Sequence, residues 1–222
     1  MQLEALDARL KGGLVVSCQP VEGGPLDHDE VVARLAQAAL DGGAAALRIE
    51  GAARLAHVRR RLPQALIIGI VKTDRSDSPV RITGTCAEVR ALCDAGADLV
   101  AVDATDRPRP EAVAALLQAI RQGGALAMAD CATLAEGLSA TRLGFDLVGT
   151  TLSGYTGGPV PEEPDWVLLE QLAQRLPRVM AEGRIHTPQQ LRRARELGAW
   201  AVTVGTSITR TELVTRRFAE AV

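Results

Sequence analysis

Leu66-Ile67-Ile68-Gly69-Ile70-Val71-Lys72 is a short apolar run that stops on a cation. An uninterrupted run of this kind reads as a strand buried on both faces, as parallel sheets require. It is followed by a long connection, 73–85, and then by a helix-like stretch, Cys86–Ala95, that stops at Gly96. Outward from this unit the same alternation continues to both ends of the chain. Strands are expected at Leu14–Gln19, Ala45–Glu50, Leu66–Lys72, Leu99–Thr105, Leu126–Cys131, Leu147–Leu152, Arg178–Glu182 and Ala201–Gly205. Helix-like stretches such as Asp29–Leu40, Glu111–Gln122, Asp165–Gln174 and Pro188–Leu197 lie between them. Gly42, Gly123 and Gly198 stand at helix stops, and Thr187-Pro188 is a helix start. Eight strand–helix units in 222 residues match a single α/β domain over 1–222, a (β/α)8 or TIM barrel. An open doubly wound sheet would show the same alternation, but no Rossmann fingerprint follows the first strand.

Composition narrows the functional classes. The apolar fraction of 47% includes only two Phe, two Trp and one Tyr, too few for a base-stacking platform. A net charge of −2 leaves no footprint for a polyanion, so nucleic acid is not an expected partner. No apolar run is long enough for a bilayer, and Met1-Gln2-Leu3-Glu4-Ala5 has none of the features of a signal peptide. Cys18, Cys86, Cys93 and Cys131 form no close Cys-x-x-Cys pair. A reduced, cytoplasmic protein is the expectation.

A barrel gathers the carboxyl ends of its strands into one ring, which is where its chemistry sits. That ring holds Gln19, Arg48, Glu50, Lys72, Asp103, Asp130, Thr150 and Glu182, then Gly205-Thr206-Ser207. Lys11 and Lys72 are the two lysines among 25 Lys plus Arg residues. Arginine stays charged at any useful pH, whereas a desolvated lysine loses its proton and becomes a base or nucleophile. Lys72 therefore reads either as such a group or as a side chain snorkelling from a strand end. Glu50 reads as an ion-pair partner or helix cap, and Asp103 as a turn cap or a site residue. Arg48 suits an anion or a carbonyl, and Asp130 a hydroxyl.

Glycines at the last two strand ends, Gly183 and Gly205, with Thr206 and a short helix expected near Thr209, suit a phosphate, with Arg210 close by. His28, His57 and His186 sit away from strand ends, which disfavours a metal site. Two long strand-to-helix connections, 73–85 and 153–164, lie on the same face of a barrel. A lysine, a glutamate and hydrogen-bonding groups around a phosphate ester suit the movement of a proton next to a carbonyl, without metal or cofactor.

Longer strings then become recognisable. Gly13-Leu14-Val15-Val16-Ser17-Cys18-Gln19-Pro20, Arg48-Ile49-Glu50-Gly51, Ile68–Lys72, Asp77–Thr83, Asp103–Pro110, Gly149–Thr156, Ala181-Glu182-Gly183-Arg184 and Ala199–Arg210 together resemble the N-acylmannosamine-6-phosphate 2-epimerases. The resemblance implies a TIM barrel of the ribulose-phosphate-binding type, acting in amino-sugar and sialic-acid catabolism. It also implies Lys72 as the acid/base group at C2, Glu182 as the second catalytic carboxylate, and Gln19, Arg48, Asp130 and Arg210 as substrate contacts. Gly157-Gly158-Pro159-Val160 is individual to this chain and leaves the lid and the tolerated acyl group open. A Schiff-base phosphosugar aldolase and a silent phosphosugar-binding barrel are the competing readings. Leu213-Val214 and Phe218 on the last helix leave a homodimer open.

Overall fold

Eight parallel strands pair in chain order and close when β8 meets β1. They are β1 (Leu14–Cys18), β2 (Ala46–Glu50), β3 (Ile67–Ile70), β4 (Leu99–Asp103), β5 (Leu126–Asp130), β6 (Leu147–Gly149), β7 (Val179–Glu182) and β8 (Ala201–Val204). This computed structural model describes residues 1–222. The helices are α1 (Leu3–Leu10), α2 (Asp29–Asp41), α3 (Ala52–Arg61), α4 (Cys86–Asp94), α5 (Val113–Gln122), α6 (Leu134–Leu143), α7 (Trp166–Ala173), α8 (Pro188–Glu196), α9 (Thr206–Thr209) and α10 (Thr211–Ala219).

The period-two alternation of each strand sorts its residues between two cores. Ile68 and Ile70 of β3 point into the barrel with Met128, Met180 and Leu99, while Ile67 packs outward among the helices. Leu6 and Leu10 of α1, both fully buried, join the inner core as a plug. Gly69 lets the outer layer close on β3, since a Cβ there would stand 2.7 Å from Leu55 Cδ1 and 3.1 Å from Leu92 Cδ2.

Helices α4, α6 and α8 each start on a capping box, Thr85 with Glu88, Thr133 with Glu136 and Thr187 with Gln190. In each, threonine and the third helical side chain satisfy otherwise orphaned N–H groups reciprocally.

Every expected strand is present, but all except Ala45–Glu50 and Arg178–Glu182 run past the ordered ladder at their carboxyl ends. The run Leu147–Leu152 yields only β6, and beyond it the Thr150 and Thr151 hydroxyls donate to the Glu182 carbonyl and to Asp130 Oδ1. Lys72 lies two residues beyond β3, in an isolated antiparallel bridge with Ile82. The short helix expected near Thr209 begins at Thr206, directly after Gly205. No residue of α10 is buried, and Phe218 stands exposed. No helix is long and apolar enough to cross a membrane.

Candidate active site

At the carboxyl ends of the strands lies a cavity of about 470 Å³. Gln19, Arg48, Lys72, Glu182, Gly183, Gly205, Thr206 and Arg210 all line it, although they are spread over almost the whole sequence. Arg48 rises from β2 with 1% of its side chain exposed and reaches across the lumen. Its Nη1 donates to Glu182 Oε2 on β7 at 3.1 Å, and its Nη2 donates to Asp130 Oδ2 on β5 at 2.5 Å. One cation thus holds two carboxylates, from β5 and β7, and its Nε has no partner.

Lys72 donates through Nζ to Gln19 Oε1, and Gln19 Nε2 donates to Ser17 Oγ at 2.7 Å. Arg210 Nε donates to the Gln19 carbonyl at 3.0 Å, which pins that loop from the other side. Burial, with Arg210, Arg48 and Arg81 as cationic neighbours, brings the Lys72 ammonium down to about 8, against a smaller opposing pull from Glu50. Burial also pushes the Glu182 carboxyl up, opposed by Arg48 and reinforced by Asp130. The lysine is easier to discharge than usual and the glutamate easier to protonate, the direction each needs for proton transfer near neutral pH.

Two residues expected at the site, Asp130 as a substrate contact and Thr150 as a substrate-binding member of the strand-end ring, do not line the cavity. Asp130 is fully buried beneath Arg48, and its Oδ1 also accepts from Thr151 Oγ1 at 2.7 Å. It holds the arginine in place. Thr150 turns its hydroxyl sideways into the barrel wall, where it donates to the Glu182 carbonyl at 2.9 Å and accepts from the Glu182 N–H at 3.0 Å. Thr151, the next residue, lines the cavity instead.

Glu50 takes the structural role open to it, with Oε1 accepting the Lys72 N–H at 3.3 Å and Oε2 standing 3.7 Å from Arg54. Asp103 combines both of its readings. It accepts from the Thr105 N–H at 3.0 Å and from Arg107 at 2.5 Å, and it lines the cavity.

Sequence reasoning missed Arg81, Arg107, Tyr155, Arg184 and His186 on the cavity wall. Most reach it from connections rather than strands, so no strand-end count finds them. Arg184 holds the connection over the cavity, donating to the carbonyls of Ser153 at 2.5 Å and Glu163 at 2.7 Å, with its guanidinium 5.3 Å from the Tyr155 ring centroid. Burial, then the charge of Arg217, holds His186 below the usual histidine range; its Nδ1 lies 3.0 Å from Ser207 Oγ. Gly183 has φ +108°, a conformation open to glycine and strained for other residues, and its backbone faces the same mouth as Gly205 and α9.

A (β/α)8 barrel with an easily discharged lysine and an easily protonated glutamate around one polar cavity is an acid–base barrel enzyme. Residues 32–222 match the NanE family model, described as "Putative N-acetylmannosamine-6-phosphate epimerase". Curated relatives include the protein of Actinobacillus pleuropneumoniae serotype 5b (strain L20) described as "Putative N-acetylmannosamine-6-phosphate 2-epimerase". It is 53% identical over 211 residues, 95% of this chain and 92% of the relative. The protein of that description from Escherichia coli O9:H4 (strain HS) is 53% identical over 212 residues, with the same coverage. Among solved structures, the N-acetylmannosamine-6-phosphate 2-epimerase from Clostridium perfringens superposes with a TM-score of 0.93 at 42% identity, covering 98% of this chain and 96% of that one. The chain belongs to the NanE family of N-acetylmannosamine-6-phosphate epimerases. A deoxyribose phosphate aldolase from Aeropyrum pernix, at 20% identity and a TM-score of 0.66, shares the fold alone.

Proposed function

We propose that the chain is an isomerase that inverts C2 of N-acetylmannosamine 6-phosphate to give N-acetylglucosamine 6-phosphate, a step of amino-sugar metabolism. In the open-chain sugar C2 lies beside the C1 aldehyde, so loss of its proton is stabilised as an enolate, and return of a proton to the other face inverts only that carbon. The observation that carries this reading is the placement of Lys72 and Glu182. Lys72 follows β3 and Glu182 ends β7, four strands apart in a closed ring of eight, and both face one cavity. Groups on opposite walls address opposite faces of a substrate lying between them. Lys72, uncharged, takes the C2 proton from one face, and protonated Glu182 supplies one from the other; the return reaction exchanges the roles.

Arg48 faces the same space with a fixed positive charge suited to the developing enolate oxygen, and Asp130 keeps it aimed. The backbone at Gly183 and Gly205, with Thr206 opening α9 and Arg210 nearby, suits the 6-phosphate. Four unpaired cysteines accord with a cytoplasmic setting.

Proton NMR of N-acetylmannosamine 6-phosphate with the enzyme in deuterium oxide tests the reaction. Deuterium at C2 of the product, with no deuterium elsewhere on the chain, is expected. A product that keeps its original C2 hydrogen throughout would remove the two-wall mechanism. A lysine adduct trapped by borohydride would instead favour imine chemistry.

A further inference from the structure

Lys72 is not part of β3. The strand ends at Ile70, and its ladder to β4 covers only Ile68↔Leu99 and Gly69↔Val100. Above those pairs the two strands separate, and the connection after Lys72 doubles back to fill the gap. Ile82 bridges to Lys72 on the β3 side, and its carbonyl accepts the Asp103 N–H at 3.0 Å on the β4 side. Thr73 N–H donates to the Arg81 carbonyl at 3.0 Å, which completes a short wedge between the strands.

Thr83 closes the wedge. Its N–H donates to the Val71 carbonyl at 2.8 Å, and its Oγ1 accepts the Val71 N–H at 3.1 Å. Both backbone groups of the residue before Lys72 are therefore held by one side chain and its own amide. Thr83 is fully buried and has φ +41°, a left-handed conformation that a β-branched residue rarely adopts. Strain of this kind persists only where the surroundings over-determine it, and it gathers at functional sites. The far end of the wedge is tied to α4, where Glu88 accepts from Thr73 Oγ1 at 2.7 Å and from the Gly84 N–H at 2.8 Å.

We propose that Thr83 is a positioning residue for the epimerisation, fixing the backbone at Val71-Lys72 so that the lysine amine points across the cavity rather than out of its mouth. The inference rests on the reading of Lys72 as the proton-transfer group. A threonine oxygen takes the place of the β4 backbone acceptor that the separated strands no longer provide. Misplacement of a reacting group by about 1 Å costs up to roughly 10²-fold in rate, so a two-point hold on the preceding residue has a direct route to turnover.

The test compares Thr83→Val, Thr83→Gly and Thr83→Ser with the unaltered enzyme on N-acetylmannosamine 6-phosphate, reading kcat, KM and the pH profile, with circular dichroism for folding. Valine keeps the shape and loses the oxygen; glycine relieves the positive φ and loses the oxygen; serine keeps the oxygen. Thr83→Val and Thr83→Gly are expected to lose about tenfold to 10²-fold in kcat with KM little changed, and Thr83→Ser to retain most of the rate. The lysine-dependent limb should move upward in Val and Gly as the amine swings toward water and away from Arg210, Arg48 and Arg81, the cations that face it. Glu50 and Glu182, the facing carboxylates, stay in place in every variant. If Thr83→Val does not fold, Thr83→Gly against Thr83→Ser decides.

Unchanged kcat and pH profile in the oxygen-free variants overturn the inference, as does a loss shared equally by Thr83→Ser or one with an unmoved limb. Lys72→Ala run alongside separates the two levels. If it is inactive while Thr83→Gly is normal, only the positioning role falls; if it turns over normally, the reading of Lys72 falls and the inference with it.

Discussion

At the amino end of the barrel, Asp7 on α1 accepts from Arg178 Nε at 2.8 Å, from Arg178 Nη2 at 2.5 Å and from the Trp200 indole at 3.1 Å. At the carboxyl end, Arg48 is sealed from water between Asp130 and Glu182, its Nε without a partner. The first cluster is only partly buried; the Arg178 hydrogen bond, with further help from its charge and Trp200, holds the Asp7 carboxyl below its usual range against the opposing effect of burial. The second keeps charge where charge is costly, and beside it stand an amine and a carboxyl each displaced toward its rarer protonation state. One end of the barrel is arranged for stability and the other for reactivity.

The largest effect expected of breaking this contrast is at Lys72. Lys72→Ala and Lys72→Arg should each lose at least about 10²–10⁴-fold in turnover with circular dichroism unchanged, since arginine keeps the charge but does not give up its proton. An active Lys72→Arg enzyme removes the acid–base assignment.

Next comes Arg48→Met, which leaves two carboxylates facing each other without a cation. Urea unfolding should show a loss of about 3–5 kcal/mol, together with loss of activity. Leu10→Ala opens a hole in the plug instead. A loss of about 2–5 kcal/mol in the same experiment, with kcat unaltered, is expected; a fall in kcat would show that the two ends are coupled.

The pH profile sharpens the comparison further. Turnover needs Lys72 uncharged and Glu182 protonated together, so kcat/KM should follow a bell in pH, with the lysine-dependent limb near 8. Arg81→Gln removes one of the cations that favour the neutral amine, so the midpoint should move upward; a downward move contradicts the electrostatics. Smallest of all is Arg178→Met at the amino end. It is the same chemical change as Arg48→Met, but around a partly exposed pair, and should cost about 1 kcal/mol or less.

What the sequence made legible follows from periodicity. Short aliphatic runs punctuated by glycine-stopped helices forced the closed ring, and the ring alone brought Gln19, Arg48, Lys72 and Glu182 together. Periodicity loses its hold where strands end. Thr150 and Thr151 differ by one residue and so face different ways; only coordinates distinguish the one that meets the cavity. Asp130 has the right parity, but Arg48 is long enough to lie over it. Arg81, Arg107 and His186 arrive on connections that fold back over the mouth, where no repeat governs direction. Helix α1 escaped because its eight residues precede the first strand and belong to no strand–helix unit.

The scarcity of lysine has a practical consequence. Lys11 lies exposed at the end of α1, and Lys72 lies within the cavity. An acylating reagent applied near pH 8 therefore meets two side-chain amines in wholly different settings, and mass spectrometry of the digested chain resolves them. Occupancy of the cavity is then read as a footprint at one peptide, with the other as its internal standard.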